Sequence, residues 1–528
     1  MTAARLPDVM TTYAGGGRLG FHTPGHHKGK GLPAGFARLM KEYGAALDLT
    51  ELPGLDNLAA PTGCIEESQR ETARLTGAES TFYLVNGATA GLEAAMLAMS
   101  GADIATVLPE YCHTAIPQGL ILTGSMPIIL PCLMDREWGL PLGLDKKAVE
   151  VWLRTKEEAA CEVMPETEHG VKKTEVSGRL PDKALWISVN PTYHGLMADL
   201  AWEKAIIKAR PDWRWLADEA HGAHLPFVNT GGVRERVFDA LAFGADAVVH
   251  SVHKMGTGLT QTGLLHCNRT GLTGRLRQGV NIMQSTSPSY LLMASLDAWQ
   301  AFLRDGGIDE LRRTEELALA LADGIRAIGD YRLWQDELPA GMKTDPRKIT
   351  LSSRELGIDG FSLAEALRRD YAIDVELAAE DYILLIVGIG HDEPDIYRMV
   401  NALSSIGAEI SAEAGKGREN GEGDKGGSES KREIYDIYGQ GKTPWRPVIS
   451  PREAYFNPRE KVRLENSPGR LAAVTVAPYP PGVPILFPGM EISRETMEKI
   501  VSMEETGVRC AGLAREGNAL YIDVVHAI

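Results

Sequence analysis

The sequence predicts an α/β protein: a large domain around a mainly parallel sheet, a smaller α/β domain and a C-terminal α+β domain. Three observations carry this reading. Short apolar runs at STFYLV (80–85), ALWISV (184–189), WRWLAD (213–218) and ADAVVHS (245–251) alternate with helical patterns, and that alternation implies crossover connections and parallel pairing. The chain, at 528 residues, is too long for a single core and implies roughly two to four domains. A Gly-rich, charged tract at 411–430, SAEAGKGRENGEGDKGGSES, divides the chain because it lacks the apolar side chains needed to fold.

In order along the chain, residues 1–75 are rich in Gly, Pro and His and read as an arm with short helices. Residues 76–307 hold the alternating strands and form the large domain, from which a polar insertion at about 156–179 loops out. Residues 308–410 form the small domain, with DGFSLAEALRRDY (359–371) as an amphipathic helix and YILLIVG (382–388) as a buried strand. Residues 411–432 are a linker, and 433–528 form the C-terminal domain, with a Pro-rich stretch at 478–489.

The balance of 55 basic and 71 acidic side chains gives a net charge of −16, which argues against general nucleic-acid binding but suits a cationic small molecule. Six cysteines are scattered without a CxxC pair, as expected of a cytoplasmic protein with neither a disulfide framework nor a zinc knuckle. No N-terminal apolar core and no long apolar run occur, so neither a signal peptide nor a membrane span is expected.

Four segments carry chemistry. In SVHKMGTGLTQTG (251–263), Lys254 follows a strand; in a dry pocket its pKa falls and it can form an imine with an aldehyde. Ser251 and His253 are placed to donate to an anion beside it, and the bland reading is a surface lysine. In WLADEAHGAH (215–224), Asp218 ends a strand, where ligands of α/β sheets bind, and can pair with a protonated pyridine nitrogen. Ala220 lets a flat ring lie on the backbone, and His221 can touch the ring hydroxyl or the substrate; the bland reading is an N-capping aspartate. In LVNGATAGLEAAMLAM (84–99), a helix beginning near Thr89 offers its first N–H groups, with the Thr89 hydroxyl, to a phosphate, although a capped helix after a glycine turn is common. In LPEYCHTAI (108–116), His113 can stack on a cofactor ring or serve as a structural histidine. Phosphate turn, histidine, strand-end aspartate and strand-end lysine follow in the order of a pyridoxal-phosphate (PLP) enzyme of the aspartate-aminotransferase fold, fold type I.

HTPGHHKG (22–29), LDLTELPGLDNL (47–58), QSTSPSY (284–290), EAYFNPREKV (453–462) and APYPPGVPILFPG (477–489) complete a collinear set. With them the chain resembles the bacterial Orn/Lys/Arg decarboxylases, in particular smaller members without the N-terminal wing domain. The resemblance implies PLP on Lys254, Asp218 on its pyridine nitrogen, His113 on its ring, and Ala88, Thr89, Ser251 and His253 on its phosphate. It implies a homodimer or higher even-numbered oligomer with the site at the interface, where Ser285, Thr286 and Ser287 reach the partner's cofactor. Glu453 matches a position that grips the substrate's basic tail, and Asp48 and Glu51 are further acidic candidates. The implied reaction is decarboxylation of arginine, lysine or ornithine, arginine first, giving CO2 and an amine of polyamine biosynthesis. A PLP-dependent aminotransferase or another fold type I lyase is the alternative, for which Arg368, Arg369 or Arg398 would bind an α-carboxylate.

The chain departs from the family pattern at Glu110-Tyr111 and Thr114-Ala115 around His113, at Ala88, which lacks the usual hydroxyl, and at Met490. Two other classes fail on detail. DEAH (218–221) and GQGKT (439–443) echo a helicase, but the order is reversed and Asp436 stands where the phosphate loop needs glycine. His221 with His224, and His22 with His26 and His27, suggest a metal hydrolase, but HExxH and a third ligand are missing, and no metal is expected.

Overall fold

The computed structural model describes residues 6–154, 174–175, 180–228, 238–419, 444–479 and 482–526. Its largest element is a nine-stranded sheet. The order is Ser80–Leu84, Gly263–Cys267, Ala247–Ser251, Arg214–Asp218, Ala184–Val189, Ala105–Pro109, Pro127–Leu130, Trp445–Arg446 and Thr174–Glu175. The run from Ala247–Ser251 to Pro127–Leu130 is parallel throughout. Gly263–Cys267 is antiparallel to both of its neighbours, which turns Ser80–Leu84 back into line with the parallel run. The inner strands read as continuous apolar runs because helices cover both faces. Phe82, Leu92, Met96 and Leu276 pack under the helices Gly87–Met99 and Thr273–Met283, while Trp152, Trp186, Trp213 and Trp215 fill the opposite layer. The carboxyl ends of Ser80–Leu84, Ala105–Pro109, Ala184–Val189, Arg214–Asp218 and Ala247–Ser251 therefore share one edge, and the segments that carry chemistry follow those ends.

A second unit is an antiparallel sheet ordered Arg332–Leu333, Lys348–Ser352, Ile383–Ile386 and Leu377–Ala378. The helices Ile308–Ile328, Gly360–Asp370 and Glu393–Glu419 pack on it through Leu321, Ile325, Leu363, Leu367, Met399 and Leu403. Asp359 caps the expected amphipathic helix by accepting from the Ser362 N–H at 2.7 Å. The last helix runs into the tract read as a linker, with 411–419 helical; 420–432 lie outside the described residues.

The arm holds the short helices Leu6–Gly15, Ala34–Tyr43 and Cys64–Thr76, and also a strand the sequence did not reveal. Leu19–Phe21 pairs in parallel with Ile373–Val375. Three residues are too few to show an alternation. At the C-terminal end, Arg459–Arg463, Ala519–Val525 and Leu513–Glu516 form a small antiparallel sheet, covered by Arg494–Glu505 over Leu486, Ile500 and Ile522. This region is locked to the large sheet by Trp445–Arg446, by Phe487 in the large core, and by Trp445 Nε1 donating to Glu110 Oε1 at 3.2 Å. Glu110, one of the departures, thus serves as a docking point for the C-terminal region. The polar insertion contributes Thr174–Glu175 as an edge strand against Trp445–Arg446; the rest of it, and GQGKT, lie outside the described residues. Among the described residues no helix is long and apolar enough to cross a membrane.

Candidate active site

Ala247–Ser251 runs straight into a single helical turn, Val252–Met255, whose chain end is tied back by Gly256 N–H donating to Val252 O at 2.8 Å. A Cβ at Gly256 would sit 2.7 Å from that oxygen, so the turn needs glycine there. Lys254 projects from this turn with Nζ 3.0 Å from His221 Nε2. Burial pushes its pKa down, opposed by the charges of Asp218 and Glu376. A lysine held partly neutral in this way is nucleophilic.

Asp218 ends the adjacent strand, is 5% exposed, and accepts the Ala220 N–H at 3.1 Å. Ala220 is half-buried above the core and leaves a flat floor. His113 stands nearby: burial lowers its pKa, while the Asp218 carboxylate raises it and the Lys254 ammonium lowers it. Its Nδ1 accepts from Ala115 N–H at 3.2 Å, so in the neutral ring Nε2 carries the proton. Over His113 lies the C-terminal loop: Thr114 N–H donates to Gly482 O at 3.1 Å, and a Cβ on Gly482 would lie 3.7 Å from His113 Nε2.

The helix Gly87–Met99 starts two residues before the expected Thr89, because Gly87 takes φ +78° and donates to Gln261 O at 2.8 Å. Asn86 gives it no side-chain cap, so the first-turn N–H groups near Ala88 and Thr89 stay available to an anion. A Cβ on Gly263 would come 3.3 Å from the Ala88 nitrogen and crowd this cradle. Ser251 lines the site at 2% exposure. His253 Nδ1 lies 3.1 Å from Thr262 O, to which only a protonated Nδ1 can donate, and burial pushes the ring's pKa down to about 4. Its Nε2 can therefore donate to an anion only when a bound negative charge keeps the ring protonated.

The residues present fit a phosphorylated aldehyde of a pyridine. A desolvated lysine can take the aldehyde, a strand-end carboxylate can take the ring nitrogen, and an uncapped helix start can take the phosphate. Thr257 Oγ1, two residues beyond the lysine turn, is buried and, among the described residues, has no hydrogen-bond partner.

Other expected residues fall elsewhere. Glu453 is exposed and closes a capping box, accepting from Ser450 N–H at 2.8 Å and Ser450 Oγ at 2.7 Å. Ser285, Thr286 and Ser287 are exposed on a loop braced by Gln284, which accepts Val85 N–H at 2.6 Å and donates to Tyr83 O at 3.1 Å. Asp48 is exposed and Glu51 half-buried. His224 Nε2 lies 3.1 Å from Asp345 Oδ2, both fully buried, so the second histidine of the supposed metal pair serves the structure. No group of three or more His, Cys, Asp or Glu fit to hold a metal occurs among the described residues. The arginines an aminotransferase would need are all exposed: Arg368 pairs with Asp374, Arg369 with Asp370, and Arg398 donates to Tyr371 O.

The sequence missed the neighbours supplied by the small unit and the arm. Lys348 Nζ lies 2.6 Å from His221 Nδ1 and donates to Tyr193 O at 2.7 Å. Burial pushes its pKa down to about 7. Glu376 accepts Tyr193 OH at 2.8 Å and Thr23 N–H at 2.9 Å. The HTPG loop folds over the lysine turn, with Gly25 N–H donating to His253 O at 2.9 Å; a Cβ on Gly25 would lie 2.8 Å from Lys254 O. A lysine inside the fully buried strand KITLS was a readable signal, because an unpaired charge there is costly.

Comparison with known proteins agrees with this geometry. The Orn/Lys/Arg decarboxylase major domain matches residues 5–327, and the C-terminal domain of the same family matches 436–524. The arginine decarboxylase of Bacillus subtilis is 30% identical over 501 residues, covering 93% of this chain and 92% of that protein. Lysine decarboxylase A from Pseudomonas aeruginosa has the same fold at a TM-score of 0.73, with 20% identity over 98% of this chain and 80% of that one. Sphingomonas wittichii serine palmitoyltransferase shares the fold at a TM-score of 0.52 and 16% identity, over 75% and 88% of the two chains. The architecture is thus that of fold type I PLP enzymes, and the chain belongs to the Orn/Lys/Arg decarboxylase family, which removes the α-carboxylate of a basic amino acid with pyridoxal phosphate.

Proposed function

We propose that this chain decarboxylates arginine to agmatine and CO2, with PLP carried covalently by Lys254. The observation that carries this reading is the desolvated Lys254 amine beside the strand-end carboxylate of Asp218, with His113 close to both charges. The cofactor, when bound, supplies the electron sink for the bond broken at Cα. Asp218 keeps a proton on the ring nitrogen, and the low-polarity strand ends around it strengthen that pairing. The N–H groups at Ala88 and Thr89, the Ser251 hydroxyl and a protonated His253 hold the phosphate. His113 covers one face under the Gly482 loop and excludes water, which favours loss of a charged carboxylate into an apolar space. Lys254 and His221 handle the proton returned to Cα.

The exposure of Ser285, Thr286, Ser287 and Glu453 supports a homodimer in which these residues complete the partner's site and meet the guanidinium tail. Transamination is disfavoured, because Arg368, Arg369 and Arg398 are occupied on the surface. The six cysteines include no CxxC pair, in keeping with a cytoplasmic location.

Arginine, lysine and ornithine supplied separately test the reaction. The expected result is CO2 with agmatine from arginine; a keto acid without CO2 from any of the three overturns it. The yellow band of the holoenzyme is expected to bleach with borohydride and to be missing in Lys254→Ala.

A further inference from the structure

His221 stands between two lysine nitrogens, Lys254 Nζ at 3.0 Å from Nε2 and Lys348 Nζ at 2.6 Å from Nδ1. A neutral imidazole has one N–H and one lone pair, and an ammonium can only donate. If both lysines were ammonium ions, the ring would have to accept at both nitrogens, which it cannot do. A protonated ring would have to donate at both, and two neutral lysines would then flank a buried cation, which burial of the ring opposes. A neutral imidazole between one donor and one acceptor satisfies every atom, and the Asp345 and Glu376 carboxylates acting on Lys348 favour an ammonium at the donor end and an amine at the other.

We propose that Lys348 and Lys254 share one proton through His221, making Lys348 the proton reserve for Lys254. The inference rests on Lys254 as the cofactor lysine. In one state the Lys348 ammonium donates to Nδ1, and the Nε2–H donates to the lone pair of Lys254. In the other, one N–H bond at Lys348 breaks as one forms at Nδ1, the Nε2–H bond breaks and a new N–H forms at Lys254. One proton has then moved from Lys348 to Lys254, and the imidazole has changed tautomer.

The surroundings fit one positive charge in the row. Asp218 and Glu376 act on Lys254, and Asp345 and Glu376 act on Lys348. His113 and His253 face His221, and burial disfavours the charged form of each. His194 and His224, beside Lys348, are likewise pushed down by burial. Lys348 is held in place by Tyr193 O at 2.7 Å and by the Tyr193 ring, whose centroid is 5.5 Å from Nζ. Lys348 meets His221 Nδ1 and His221 Nε2 meets Lys254, so Lys348 acts on Lys254 as a relay partner through the imidazole.

The test follows PLP capture against pH in the full chain stripped of PLP. Borohydride traps the adduct and peptide mapping identifies the lysine. Lys348→Met removes a like charge, so Lys254 keeps its proton longer, and the rising limb of the profile is expected to move up by about 1 pH unit or more. Lys348→Arg keeps the charge but never releases the proton. It is expected to leave the limb at or below its wild-type position, yet to lower kcat for arginine at least about tenfold with KM held within about twofold. Wild-type kcat in Lys348→Arg, or an unmoved profile in Lys348→Met with the adduct mapped to Lys254, overturns the shared proton. An adduct on another lysine overturns the assignment of Lys254 instead. Should Lys348→Met not fold, the Lys348→Arg kcat, read beside its capture profile, decides the question alone.

Discussion

Asp345 shows how much one side chain carries in this molecule. It is fully buried, faces His224 at 3.1 Å and Arg347 at 3.3 Å, and lies in the field of Lys348. Burial alone would raise its pKa, but the His224 contact and the Arg347 and Lys348 charges outweigh burial and hold the carboxyl well below the usual carboxylate range. A depressed folded pKa contributes stability above the unfolded value, and that stability is lost as pH falls through the acid range. Asp345→Ala strands buried positive groups and is expected to cost about 3–5 kcal/mol by denaturant unfolding near pH 7. The wild-type advantage over Asp345→Ala should shrink as the pH is lowered below about 4. Lys254, Asp218, His113 and the Gly87 turn stood out in the sequence as candidates because each follows a strand end within a local pattern. Lys348 and Glu376 were not found, because they reach the site from a strand and a bend roughly 100 residues farther on, and no local spacing links them to it.

The elements packed on the sheet impose their own constraints. The helices Gly87–Met99 and Thr273–Met283 cross so closely that a Cβ on Gly279 would lie 2.4 Å from Ala94 O, a backbone atom that cannot turn aside. Gly279→Ala is therefore expected to destabilise by about 1–3 kcal/mol, and a lowered midpoint in urea would register it. On the other face, Glu203 of the helix Leu200–Lys208 accepts Trp186 Nε1 at 2.9 Å and also takes the Ser188 hydroxyl. Burial pushes its pKa up to about 7 despite these donors. The folded chain then binds the proton more tightly than the unfolded one, and stability falls as pH rises from about 4 to 7. Glu203→Gln is expected to gain roughly 1–3 kcal/mol over wild type at pH 8 and little near pH 4, read from melting curves at the two pH values. Strands and helices were legible where they repeat their period for five or more residues, as in ALWISV and DGFSLAEALRRDY. Leu19–Phe21, Trp445–Arg446 and Thr174–Glu175 were not, because two or three residues take their form from a partner strand rather than from their own pattern.

At the scale of the whole molecule, the site is closed by pieces from each end of the chain. The Gly25 loop is wedged between the Lys254 turn and Gly388–Gly390, where Gly390 N–H donates to Gly25 O at 3.2 Å. Removing residues 1–31 is expected to weaken PLP retention by at least about tenfold, measured by dialysis and absorbance, because it opens the lysine turn to water. Exposed Leu39, Tyr43, Leu49, Leu52 and Ile282 leave apolar surface available for a partner subunit, and sedimentation equilibrium is expected to report twice the 57.3 kDa chain mass or a higher even multiple. The pairing of Leu19–Phe21 with Ile373–Val375 adds a constraint in time. A ribosome that has made the first of these strands must make about 350 more residues before its partner exists, and the ends of so long a loop meet late. The large domain can fold while the arm still hangs free. The pocket is therefore open to solvent until the small domain is made, and it shuts only when that domain arrives, which leaves the cofactor a way in before the door is hung.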